Sequence, residues 1–224
     1  MHHHDPDHEP TLEELREALT EEFWDAKYEA SQRVWSGNPN QRLVEQARDL
    51  APGRALDVGC GEGADAIWLA GRGWDVTAVD VSTVALDRTA EHAIEADVDD
   101  DIDVGVYDAM AGRPKLRRER YDLVTVHFLH VPREDFDDVY RRIAAAVAPG
   151  GRLLVVAHHP ADVESGVRPS HGPGLLFPPE RVLQAVRDVA AWSVETSEAA
   201  TREQVIDGAP VTVTDTVVRL LRNR

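Results

Sequence analysis

The chain has 224 residues, with 41 acidic against 24 basic side chains, a formal net charge of −17 and 42% hydrophobic residues. That length and composition suit one α/β domain, with or without an appended arm, and the excess of negative charge argues against a nucleic-acid partner. No apolar run approaches the roughly 20 residues of a membrane span, and the single cysteine, Cys60, excludes an intramolecular disulfide and a Cys-based zinc site.

Residues 1–10, MHHHDPDHEP, are polar with no apolar stretch behind them, so a signal peptide is not expected. They read as a disordered, inert tail of a cytoplasmic protein with no membrane partner. Thr11 and Glu14 form a T-x-x-E capping box ahead of LEELREAL, and a second helical piece starts near Thr20. Ser36–Gly37 break the chain. Asn38 and Pro39 read as the N-cap and first turn of a third helix, which ends by Ala51–Pro52–Gly53. Residues 11–53 are therefore expected to be an N-terminal helical cap segment ahead of a core over 54–224.

From residue 54 strands and helices alternate. RALDV (54–58) is a strand, 64–72 a helix closed by Gly73, 74–80 a strand, and Ser82 caps the next helix. The acidic run 97–101 is a turn; strands follow at 102–108 and 121–129. Arg113, Lys115, Arg117, Arg118 and Arg120 lie between these two strands and read as a solvated loop. Pro132 is expected to start a helix, Pro149–Gly151 to turn, and 152–159 to form a strand. Residues 160–178 are rich in Pro and Gly and aperiodic; a loop that long inside a domain is usually functional. A helix from Pro179 precedes two extended stretches about Asp207–Gly208, an antiparallel hairpin closing one sheet edge. The predicted fold class is α/β: a Rossmann-like, doubly wound, seven-stranded sheet, mostly parallel, with the C-terminal hairpin at its edge and helices on both faces.

The segment ALDVGCGEGAD (55–65) runs a strand into three glycines. In an open parallel sheet such a loop lies at the ligand-binding edge, where glycine lets the backbone approach the ligand. Asp80 ends the next strand, where its carboxylate would meet the hydroxyls of an adenosine ribose. Gly59, Gly61 and Ala64 also satisfy G-x-G-x-x-A, so the spacing admits two ligands, a dinucleotide or S-adenosylmethionine. Charge separates them. Asp57, Glu62 and Asp65 surround the loop, and no Lys or Arg stands between Leu56 and Gly71. A pyrophosphate would be repelled there, whereas the ammonium and sulfonium of S-adenosylmethionine suit neighbouring acids.

LDVGCGEGAD resembles the first motif of class I S-adenosylmethionine-dependent methyltransferases. TAVDVS, YDA (107–109), YDLVTVHFLHVP and APGGRLLVV resemble the elements that follow in that family, in order, over roughly residues 38–221. FWDAKYEASQRVWSGNPNQRLVE resembles the entry segment of the tellurite-resistance and thiopurine methyltransferase group, which acts on small molecules. The resemblance implies S-adenosylmethionine as cofactor, S-adenosylhomocysteine as product and a small-molecule methyl acceptor. It also implies a cofactor site formed by Trp35, Asp57, Gly59, Cys60, Gly61, Asp80, Val81, Asp108, Ala109 and His127. Cys60 is expected to serve through its backbone and not as a nucleophile. Of the histidines at the carboxyl edge (His127, His130, His158, His159, and His171 in the long loop), His130 and His158 are the candidate general bases by position. No metal is expected, since a third ligand beside two histidines is not evident. A nicotinamide-dependent oxidoreductase, with Asp80 in the same ribose role, and a non-catalytic cofactor-binding protein remain the alternatives. The acceptor and the oligomeric state are open.

Overall fold

The computed structural model describes residues 11–168, 175–206 and 208–224. The expected tail, His171, part of the 160–178 loop and Asp207 lie outside the described residues. The chain begins with three short helices, α1 (Leu12–Glu17), α2 (Glu21–Glu29) and α3 (Gln41–Ala47). Then β1 (Arg54–Val58), α4 (Ala64–Ala70), β2 (Asp75–Asp80), α5 (Thr83–Glu95), a 3-10 turn at Asp99–Asp101, β3 (Ile102–Val106), β4 (Tyr121–His127) and α6 (Phe136–Ala144) follow. The remainder is β5 (Val147–His158), α7 (Ala161–Glu164), α8 (Pro179–Val186), β6 (Trp192–Ile206) and β7 (Ala209–Arg222).

The seven strands form one sheet in the order β3-β2-β1-β4-β5-β7-β6. β3, β2, β1, β4 and β5 pair in parallel, while β7 is antiparallel to both β5 and β6. Both faces are covered, and the pleat shows it. Leu56, Val58, Val124, Val126, Leu153, Val155, Val218 and Leu220 join the core beneath α6 and α8, with Phe136, Tyr140, Ile143 and Val182. The alternate residues Ala55, Leu123, Leu154, Val156 and Val217 pack with Leu43, Leu69 and Leu86 of α3, α4 and α5. Strands buried on both faces read as continuous apolar runs, and this two-sided burial is why they did.

Three local expectations are corrected. Asn40, not Asn38, caps α3, its side chain accepting from the Arg42 amide at 2.8 Å. Helix α6 starts at Phe136, because Pro132 opens a turn closed by Asp135 N–H to the Pro132 carbonyl. Pro149–Gly151 do not end a strand; they lie within β5, where the pairing to β4 shifts register. The Thr11–Glu14 capping box and the Thr20 and Ser82 caps form as expected. Among the described residues no helix is long and apolar enough to cross a membrane.

Candidate cofactor and acceptor site

The strand order reverses between β1 and β4. A crevice opens there at the carboxyl ends of the strands, the usual ligand position in such sheets. Gly59, Gly61 and Gly63 all hold positive φ. The conformation is required most strictly at two of them. A Cβ on Gly61 would sit 3.0 Å from Tyr28 Oη and 3.2 Å from Trp35 Nε1; one on Gly63 would sit 2.6 Å from Thr89 Cγ2. Gly63→Ala is expected to destabilise the fold by about 2–4 kcal/mol through left-handed strain plus overlap, read as a lowered midpoint in urea unfolding. A loss under about 1 kcal/mol would show that Thr89 moves aside freely.

Asp80 is buried, and burial pushes its carboxyl upward. Its Oδ2 accepts from Gly61 N–H at 2.9 Å and its Oδ1 from Ser82 N–H at 3.0 Å. One carboxylate thus fixes both the glycine loop and the start of α5. Beyond it lies a cavity of about 430 Å³ lined by Val81, Val106, Asp108 and Met110 on the sheet side and by Leu19, Thr20, Glu21 and Glu22 at the α1–α2 junction. Arg16 reaches across its mouth to Asp135 at 2.9 Å. Ala109 does not line this cavity: it packs on the core, and its carbonyl accepts from Arg142 at 2.8 Å. Met110, which sequence reasoning missed, lines the cavity instead.

The acids of the loop divide into two kinds. Glu62, which the sequence suggested might face a cationic ligand, is engaged by the protein. It accepts from the Trp35 and Val34 amides at 2.9 and 3.2 Å and pairs with Arg88 at 2.8 Å. Burial alone would raise its carboxyl, but these donors lower it. Arg88 also donates to the carbonyls of Tyr28 and Ser31, so the pair binds α2 and the following loop to the core. Trp35 is 48% exposed and stands over Gly61, its indole N–H donating to Tyr28 Oη at 2.9 Å. Cys60 turns its thiol inward, 3.9 Å from Thr89 Oγ1, and burial raises the thiol well above its ordinary range. A thiol so placed is no nucleophile.

Asp57 and Asp65 are different. Asp57 is 2% exposed; Thr125 donates to its Oδ1 at 2.7 Å, while its Oδ2 has no partner. Asp65 accepts from Asn40 N–H at 2.6 Å and bonds His127 Nδ1 at 2.7 Å. His127 Nε2 is buried and also lacks a partner. These groups lie at the ends of β1 and β4, at the switch point itself.

Immediately after His127, Phe128 adopts φ 54°. A bulky side chain in the left-handed region is a costly outlier, of the kind that clusters at functional sites. Its amide donates to Val156 O, and its ring lies 4.5 Å from the His158 ring, which is 5.4 Å from His130. The structure thus brings His130 and His158 together beside an aromatic face that no local sequence signal marked. His159 is turned to α7, where its Nδ1 accepts from Ala161 N–H.

Residues 55–151 match the family model described as a methyltransferase domain. A ubiquinone biosynthesis O-methyltransferase of Marinobacter nauticus is 33% identical over 142 residues, covering 62% of this chain and 58% of the relative. A ribosomal RNA small subunit methyltransferase C of Chromohalobacter salexigens is 34% identical over 119 residues, covering 49% of this chain and 33% of the relative. The chain therefore spans less than two thirds of either relative. Among solved structures, one from work on the conversion of a disulfide bond into a thioacetal group during echinomycin biosynthesis superimposes with a TM-score of 0.70. It is 22% identical, covering 91% of this chain and 92% of its own. TehB from Haemophilus influenzae gives 0.65 at 21% identity, covering 91% of this chain and 67% of its own. At those identities the structures speak to fold alone.

Proposed function

We propose that this chain, which carries a methyltransferase domain on the class I, S-adenosylmethionine-dependent fold, transfers a methyl group to a small-molecule nucleophile. The observation that carries the reading is the continuous site: the Asp80 carboxylate, the glycine loop and the 430 Å³ cavity beyond β2 and β3 are joined to an unsatisfied acid at the switch point. S-adenosylmethionine bound there supplies a methyl group already activated on a sulfonium.

The residues fit that molecule part by part. Asp80 offers acceptor lone pairs to ribose hydroxyls. Val81, Val106 and Met110 form the apolar walls for a flat base, with Asp108 at the rim. Asp57 Oδ2 offers an open acceptor to an amino group. A dinucleotide would present phosphates to the same acids and gain nothing from Asp57. The chain's part in the chemistry is to align the acceptor with the methyl group and exclude water, worth roughly 7–11 kcal/mol when geometry is good. Trp35 and Tyr28 close the loop side. Where the acceptor arrives protonated, His130 or His158 would take its proton.

The charge of −17 favours a small molecule over RNA as acceptor, because a phosphate backbone would be repelled. Calorimetric titration with S-adenosylhomocysteine, with NAD in parallel, tests the cofactor. Binding of S-adenosylhomocysteine alone is the expected result; binding of NAD alone would replace the reading with a hydride-transfer enzyme.

A further inference from the structure

Asp57, Asp65 and His127 come from β1, α4 and β4, and their ligand-capable atoms lie within 4.8 Å of one another. Every nearby donor is already directed: Thr125 to Asp57 Oδ1, Asn40 N–H to one Asp65 oxygen, and His127 Nδ1 to the other. What remains is a buried carboxylate oxygen, Asp57 Oδ2, and a buried imidazole nitrogen, His127 Nε2, neither with a hydrogen-bond partner. A buried carboxyl left in that condition neutralises itself by holding a proton until a cation arrives.

We propose that Asp57, His127 and Asp65 form a proton-exchanging seat for the cofactor's α-ammonium group, so that loading the cofactor expels one proton. This depends on the methyl-donor assignment above and adds to it. In the free protein the three groups are neutral in sum: protonated Asp57, ionised Asp65 and imidazolium His127. When the ammonium enters, it donates to Asp57 Oδ2, the Asp57 proton passes to solvent, and the seat with its ligand is neutral again.

The surroundings act in that direction. Burial, then the charge of Asp65 on α4, push Asp57 up to about 7, with Asp80 of β2 adding to the rise; His127 and the Thr125 hydroxyl of β4 oppose it. The Cys60 thiol faces the same acids and is itself raised. Burial pulls His127 down, but Asp65, by charge and hydrogen bond, and Asp57 raise it overall. The sign follows. Below about pH 7 the free site holds the proton that the ligand must displace, so affinity weakens as pH falls; above it that penalty vanishes.

The experiment is calorimetric titration of the whole protein with S-adenosylhomocysteine in chelator-treated buffers of different ionisation enthalpy. At about pH 6 the binding enthalpy should depend on the buffer and report about one proton released, and affinity should fall by about tenfold per pH unit below that. Asp57→Asn should abolish the release. 5′-Methylthioadenosine, which keeps the nucleoside and thioether but has no amino acid, should bind without it. Buffer-independent enthalpy for the wild type, release retained in Asp57→Asn, or equal release with 5′-methylthioadenosine would each overturn the proposal. The wild-type proton count needs no variant to fold. Failure of S-adenosylhomocysteine to bind at any pH would instead overturn the methyl-donor reading and the proposal with it.

Discussion

Asp80→Asn is expected to lower S-adenosylhomocysteine affinity by more than tenfold and to cost the fold about 2–4 kcal/mol. Two effects combine. The carboxylate accepts from Gly61 N–H and Ser82 N–H with different oxygens. An asparagine can replace only one of them, because its amide nitrogen is a donor and would face a second donor. One buried N–H is then orphaned and a charge-assisted bond becomes neutral. The ribose acceptor is lost in the same stroke. Urea unfolding and calorimetry on one preparation separate the two, since a folded variant at low temperature still reports its affinity. An unchanged dissociation constant in a folded Asp80→Asn protein would sink the ribose assignment.

Arg88→Ala is expected to release the N-terminal segment from the core. Glu62 and Arg88 have side chains only 4% and 17% exposed, and breaking a buried pair from one side leaves an uncompensated charge, at a cost of about 3–5 kcal/mol when burial is complete. The Tyr28 and Ser31 carbonyls lose their donor as well. Because Arg88 joins α5 to the end of α2, the damage should be local. Hydrogen exchange should accelerate over residues 20–40, while β1, β4 and β5 keep their protection. Cofactor affinity should fall through loss of Trp35 and Tyr28 from the loop. Uniform loss of protection across the sheet would show that the pair stabilises the core rather than this segment. The charge-free double variant Glu62→Gln with Arg88→Met should recover part of the stability, since neither member is then left alone.

The sheet, its hairpin edge and the glycine loop were legible because each rests on a short-range signal. Val and Leu runs mark strands buried on two faces, Gly59 to Gly63 mark a turn, and Asp80 follows a strand. The character of the loop acids was not legible. Glu62 is neutralised by Arg88, which stands 26 residues later, so an absence of basic residues along the local sequence said nothing about basic residues in space. The acids that do remain open, Asp57 and Asp65, become distinguishable only when β4 brings His127 beside them. Phe128 carried no warning, since positive φ at an aromatic residue is imposed by its surroundings and not by its type. The start of α6 was misjudged for a related reason: proline is as much at home opening a turn as opening a helix.

The position of β7 has a kinetic consequence. It lies between β5 and β6, so residues 209–222 enter the interior of the sheet rather than being added at its margin. Val217, Val218 and Leu220 contribute to the cores on both faces. During synthesis the five parallel strands emerge with β5 presenting an open edge and both apolar layers unfinished. The nascent chain therefore passes through an interval in which a nearly assembled sheet is exposed to pairing with other strands, the condition under which chaperones are needed. Its many long-range pairings make the final closure slow compared with helix formation. A synonymous change that delays translation just before residue 209 would lengthen that interval without altering a single side chain.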